Sequence, residues 1–163
     1  MSCKRLCVSG LALLASLLVV NASLAGTMPV PALAKKADAI CKSENKKRAA
    51  NPNPPTFQDP AKATPAQLKR AGAYLGRDLA ITRDEVKRVF ALGTPSEPAA
   101  RTAWLQLRTI LTKDSLPAFA KAVAAAKRGD AKAVVADFAV ASKYDARQVK
   151  LQKTLGLKVC GNG

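Results

Sequence analysis

The sequence predicts an all-α fold, an up-down bundle of four helices with one disulfide, and three observations carry this prediction. Apolar residues recur at helical spacing in four stretches, each bounded by capping residues or proline. Hydrophobic residues make up 48% of the chain but aromatics only 4%, so alanine supplies much of the apolar content. That composition suits closely packed helices better than strands, which favour β-branched and aromatic side chains. Finally, two cysteines, Cys41 and Cys160, frame everything that follows the first 25 residues.

Those first residues, 1–25, read as a secretory signal peptide. Lys4 and Arg5 form a positive start, Leu11 to Val20 an apolar run, and Ser23-Leu24-Ala25 a small-residue cleavage site before Gly26. Ala32-Leu33-Ala34 is a second candidate site. Retention as an anchor is a third outcome, although the apolar run falls short of the ~20 residues a spanning helix needs. The expected location is therefore extracytoplasmic: secreted, periplasmic or in the cell envelope. Cys3 and Cys7 leave with the signal. Two cysteines remaining in an oxidising compartment predict a disulfide between Cys41 and Cys160, with two buried thiols as the alternative. Residues 26–163 form one domain.

The elements follow in order. After a proline-containing lead-in over 26–32, a first helix is expected over Leu33–Ala50. Leu33, Ala37, Ile40 and Cys41 form its apolar face, and Lys35, Lys36, Lys42, Lys46, Lys47 and Arg48 its basic one. Part of that basic cluster answers the helix macrodipole, which favours cations near the C-terminus. Pro52, Pro54, Pro55 and Pro60 make 51–63 an extended linker, pinned to the bundle by Phe57. Thr64-Pro65-Ala66-Gln67 is a capping box that opens the second helix. Its stripe of Leu68, Ala71, Leu75, Leu79, Val86, Val89 and Phe90 reaches Leu92, about 28 residues or roughly 40 Å. Thr82-Arg83-Asp84-Glu85 is a second box inside it, so a break near Ile81 competes with one continuous helix; the unbroken phase favours continuity. Gly93 and Pro95 end the helix.

The third helix begins near Ser96-Glu97-Pro98, with Trp104 as a core anchor. Pro117 predicts a kink, with Asp114 or Ser115 capping a fresh start. Arg128-Gly129-Asp130 spells an adhesion tripeptide, but Gly129 as helix C-cap and Asp130 as the next N-cap account for it. The fourth helix is expected from Ala131 to Leu155, with Val134, Val135, Phe138, Ala141, Asp145, Val149, Gln152 and Leu155 facing inward. Gly156 and Leu157 would close it in a Schellman motif.

Chemistry is sparse. There is no histidine, the commonest general base and metal ligand, no CxxC, and no Gly-rich phosphate loop. Gly72 and Gly76 lie within a helix and read as close-packing points. Asp78, Asp84 and Glu85 sit among Arg77, Arg83, Lys87 and Arg88, an ion-pair lattice rather than a paired-carboxylate site. The expectation is no catalytic residue, no metal, no cofactor and no enzyme. Charge is the remaining signal. The chain carries 27 Lys+Arg against 11 Asp+Glu; without Lys4 and Arg5, 25 cations remain and the net charge is +14. The candidate polyanion-binding residues are Lys42, Lys46, Lys47 and Arg48 on the first helix and Lys143, Arg147, Lys150 and Lys153 on the fourth. The expected partner is an anionic envelope polymer, a lipid surface or a protein. Aromatics are not interleaved with the cations, which argues against nucleic acid. The same charge also serves solubility. A holdase-type chaperone and a small apolar-ligand carrier with a cavity near Trp104 and Tyr74 are the alternatives.

Ile40-Cys41-Lys42, Ala91-Leu92-Gly93-Thr94-Pro95, Lys127-Arg128-Gly129-Asp130 and Leu155-Gly156-Leu157-Lys158-Val159-Cys160 together resemble a group of small exported all-helical bacterial proteins of unestablished function. The resemblance implies architecture and no catalytic residue. Ala63-Thr64-Pro65-Ala66-Gln67 and Ile81-Thr82-Arg83-Asp84-Glu85 bear a weaker likeness to the L-T-x-x-Q boxes of Spy/CpxP-type periplasmic chaperones; the first lacks the leading Leu and the second ends in Glu. The helix pattern itself, a short basic first helix set apart by the proline-rich linker, makes the disulfide a staple that holds a detachable helix to the C-terminal tail.

Overall fold

The computed structural model describes residues 26–57 and 59–160. The signal-peptide reading of residues 1–25, with Cys3 and Cys7, lies outside the described residues, as does the expected frayed end at 161–163. What is described is mostly helical: α1 (Val30–Ala49), a 3-10 turn (Pro60–Lys62), α2 (Pro65–Phe90), α3 (Pro98–Thr109), a π-helical turn (Ile110–Ser115), α4 (Leu116–Arg128), α5 (Ala131–Ser142) and α6 (Asp145–Thr154).

One feature was not expected. The lead-in is not irregular: β1 (Thr27–Met28) pairs in parallel with β2 (Thr94–Pro95), Thr27 opposite Thr94 and Met28 opposite Pro95. Ser96 N–H donates to the Met28 carbonyl at 2.9 Å. Pro95 fits because a two-stranded sheet is all edge, and a missing N–H is tolerated there. The pairing holds the start of α1 at the α2–α3 turn, where Val30 N–H donates to Glu97 Oε1 at 3.3 Å. α1 accordingly begins at Val30 rather than Leu33, with Pro31 in its first turn, where the missing N–H costs nothing.

α2 is continuous for 26 residues and opens with the expected capping box between Thr64 and Gln67. The inner T-x-x-E sequence makes no cap. The Thr82 hydroxyl donates to the Asp78 carbonyl and accepts from Arg48, so it stays inside the helix. The expected restart before Pro117 is also absent. Ser115 keeps helical angles and makes no cap bond; its hydroxyl accepts from Gln148 Nε2 at 2.8 Å. The π turn, with Leu116 N–H donating to the Leu111 carbonyl, lets the chain take in the proline without a new cap. The fourth stretch divides at Lys143–Tyr144 into α5 and α6. Val135 and Val149, expected inside, are exposed, as is Asp145, while Val134, Leu151 and Leu155 are buried. The break explains this: α5 lies on α4 and α6 on α3, so no single stripe serves both.

Two apolar clusters result. The larger joins α1 (Leu33, Ala37, Cys41), Val89 of α2, Trp104 and Leu107 of α3, Leu151 of α6, Leu155 at its end, and the tail. Phe90 meets Trp104 edge-on at 4.8 Å. The smaller joins Leu68, Ala125, Ala126 and Val134, with Phe57 of the proline-rich linker packed against it. Between α2 and α4 there is no room for a side chain at Gly72, where a Cβ would stand 2.6 Å from the Lys127 backbone nitrogen. The α4–α5 turn is as expected, with Gly129 left-handed at φ 78° and the Asp130 carboxylate accepting from Ala133 N–H.

Candidate functional site: a stapled basic helix and the pocket beside it

The Cys41–Cys160 disulfide forms, with Cα atoms 5.2 Å apart. Cys41 is placed by the buried face of α1. Cys160 is placed by the end of α6. Gly156, at φ 67°, reverses the chain; Gly156 N–H donates to the Lys153 carbonyl and Leu157 N–H to the Gln152 carbonyl, the two bonds of a Schellman motif. The turned tail then offers its amides to one side chain on α1. The Asp38 carboxylate accepts from Lys158 N–H at 3.0 Å, Val159 N–H at 2.9 Å and Cys160 N–H at 3.3 Å. Sequence reasoning missed Asp38. Its only signal is its place one turn before Cys41.

α1 is also bound to α2 by charge, and the two helices run in opposite directions. Glu44, fully buried, pairs with Lys47 at 2.9 Å and with Arg88. Arg48 reaches Asp78 through Nε at 3.2 Å and Glu85 through Nη2 at 2.7 Å. Asn51 bonds the Tyr74 carbonyl and Arg77. The expected ion-pair lattice on α2 is present in part, as Asp84–Arg88 at 3.6 Å. Its larger role was not legible: Asp78, Asp84 and Glu85 receive cations from α1.

This changes what the candidate polyanion residues have to offer. Lys42 and Lys46 are exposed on α1 and form no ion pair among the described residues. Lys47 is exposed but shared with Glu44, and Arg48 is half-buried between two carboxylates. Lys143, Arg147, Lys150 and Lys153 are exposed at the α5–α6 break and along α6, also without ion pairs among the described residues; Lys143 lies 6.0 Å from the Tyr144 ring centre. The disulfide and Asp38 tie α1 to the tail that follows α6, and α1 and α6 line one cavity. The carboxylates, by contrast, are largely engaged in structure. Asp38 holds the tail, Asp59 and Asp130 cap turns, Glu97 receives Val30 N–H, and Glu44, Asp78, Asp84 and Glu85 pair across α1 and α2.

Beside the disulfide lies a cavity of about 260 Å³ between α1, α2, α3 and α6. Val86, Val89, Phe90, Leu107 and Leu111 give it an apolar wall, and Arg48, Glu85, Gln148 and Gln152 a polar one. Neither Trp104 nor Tyr74, where a cavity was expected, lines it. Burial pushes the Glu85 carboxyl above its ordinary value, against the pull of Arg48, while Glu44 and Asp78 push it further up. Glu85 Oε1 lies 3.4 Å from the Cys41 sulfur. A disulfide sulfur has no proton to give, so this contact is a hydrogen bond only when the carboxyl is protonated. Glu97, at the sheet, is held below the ordinary carboxylate range, chiefly by its own backbone N–H and then by Val30 N–H and the Ser96 hydroxyl.

Among the described residues no group of three or more His, Cys, Asp and Glu is arranged to hold a metal, and no helix is long and apolar enough to cross a membrane. No family model, curated protein or solved structure matches this chain.

Proposed function

We propose that this protein is an exported, non-enzymatic module, an up-down arrangement of four helical rods, that binds an anionic envelope component through the exposed cations of α1 and α6. One observation carries the reading: carboxylates are drawn into caps and α1–α2 ion pairs, while Lys42, Lys46, Lys143, Arg147, Lys150 and Lys153 form no ion pair among the described residues. An excess of cations left in water attracts polyanions and anionic surfaces, and salt weakens that attraction. The staple supports the same reading, because it fixes the basic face of α1 relative to that of α6. Co-sedimentation with phosphatidylglycerol vesicles, against phosphatidylcholine vesicles, tests it. Binding to the anionic vesicles alone, lost at high salt, is expected. Equal binding to both lipids, or binding that survives high salt, contradicts it.

A further inference from the structure

The cavity beside the disulfide has a chemistry opposite to that of the surface. Arg48 is the only cationic side chain in its wall among the described residues, and its guanidinium is largely engaged: Nη1 donates to Asn45 and Nη2 to Thr82, while Nε stands 3.2 Å from Asp78 and Nη2 2.7 Å from Glu85. An anionic ligand would find little of that guanidinium unspent. Acceptors are in the opposite state. One guanidinium serves two carboxylates, Asp78 and Glu85, so the trio carries a net negative charge when both are ionised. Arg48 approaches Glu85 Oε2 closely, but without a well-aligned hydrogen bond, so that oxygen keeps accepting capacity. Gln148 uses one amide N–H on Ser115, which leaves its carbonyl oxygen as an acceptor beside its second N–H. Opposite these acceptors stand Val86, Val89, Leu107 and Leu111. At about 260 Å³ the space is close to the small end of ligand pockets, roughly 300–1,000 Å³.

We propose that this cavity is a binding site for a small ligand with an apolar body and one protonated amine, with Glu85 as its counter-ion. Among the described residues the wall supplies one carboxylate, neutral amides and apolar surface but no cation without a carboxylate beside it, which selects an ammonium head over a carboxylate. The desolvation that keeps Glu85 from ionising freely is relieved when a cation arrives beside it. This site is independent of the basic surface. A strongly cationic surface repels amines and attracts carboxylates, so preference for an amine cannot come from that surface.

Calorimetric titration of the oxidised protein with octylamine, octanol and octanoate, which share one apolar body, tests the proposal. Saturable one-to-one binding of octylamine is expected, about tenfold tighter than octanol, as a hydrogen bond to a charged group would give. Glu85→Gln leaves Arg48 balanced by Asp78; it should remove that preference and leave octanol binding unchanged. Leu111→Phe, which narrows the cavity, should weaken both ligands, and circular dichroism of each variant checks that it is folded. Octanoate binding as tightly as octylamine, no saturable octylamine binding, or an octylamine preference that persists in folded Glu85→Gln would overturn the proposal.

Discussion

Replacing Cys160 with serine perturbs the one covalent link between the ends of the described chain. The two cysteines are 119 residues apart in sequence. For a loop of that length the chain-entropy relation gives about 5 kcal/mol of stabilisation, acting on the unfolded state. Folded domains have about 5–15 kcal/mol in total, so the loss is severe and need not be fatal. What survives is the Asp38 carboxylate on three tail amides and the ion pairs of Glu44 and Arg48 with α2. These hold α1 in place, but they break locally. Urea denaturation of Cys160→Ser should therefore show a fall of about 3–5 kcal/mol. Native-state hydrogen exchange should show α1 and residues 157–160 losing protection beyond that fall, through a local opening not available to the oxidised protein. α2, α4 and α5 meet around Leu68, Ala125 and Val134, a cluster without either cysteine, and should lose only the global share. Equal loss of protection in every helix would refute the idea that the disulfide staples α1 in particular.

The remaining predictions concern single contacts. Arg88→Ala leaves the wholly buried Glu44 with Lys47 alone and should cost about 2–4 kcal/mol by urea denaturation, whereas Glu44→Leu frees two cations to turn into water and should be near neutral; equal costs would contradict the asymmetry. Gly72→Ala drives a Cβ to 2.6 Å from the Lys127 backbone and should destabilise by about 1–3 kcal/mol, while Gly76→Ala meets the far end of the Lys127 side chain at 3.2 Å and Val123 at an ordinary 3.8 Å, and should gain up to about 1 kcal/mol of helix propensity. Folding raises the Glu85 pKa above its ordinary 4.5, so the folded state holds that proton more tightly. The penalty for ionising it is absent below that value and grows as pH rises through the folded pKa. Stability of the wild type relative to Glu85→Gln should thus fall as pH rises through the window above 4.5, and a flat difference would contradict the shift.

Much of this architecture was legible because it rests on local signals. Thr64 and Gln67 form a capping box within four residues, and Gly129-Asp130 and Gly156-Leu157 are helix ends written in adjacent residues. The disulfide followed from counting cysteines. The errors arose where a distant partner decides the outcome. The cap competing at Thr82–Glu85, which the unbroken stripe outweighed, does not form, and Arg48 claims both residues. Ser115 was a plausible cap, but Gln148 takes its hydroxyl. Val135 and Val149 continue a helical stripe whose inner side changes at the α5–α6 break. The parallel pairing of 27–28 with 94–95 has no period to read in two-residue strands. Arg48 shows the same limit for the candidate site: its charge was visible in the sequence, and its neutralisation by Asp78 and Glu85 was not.

Two variants of equal net charge test the functional reading most directly. One carries Lys42, Lys46, Lys150 and Lys153 as glutamine; the other carries Lys69, Lys113, Lys121 and Lys132, equally exposed but on α2, the π turn, α4 and α5. At about 1 kcal/mol per lysine near an anionic surface, the first should bind phosphatidylglycerol vesicles up to about three orders of magnitude more weakly than the wild type at low salt. The second should keep most of its affinity. Equal losses in the two would show that net charge alone, and not the cations of α1 and α6, draws this protein to anions.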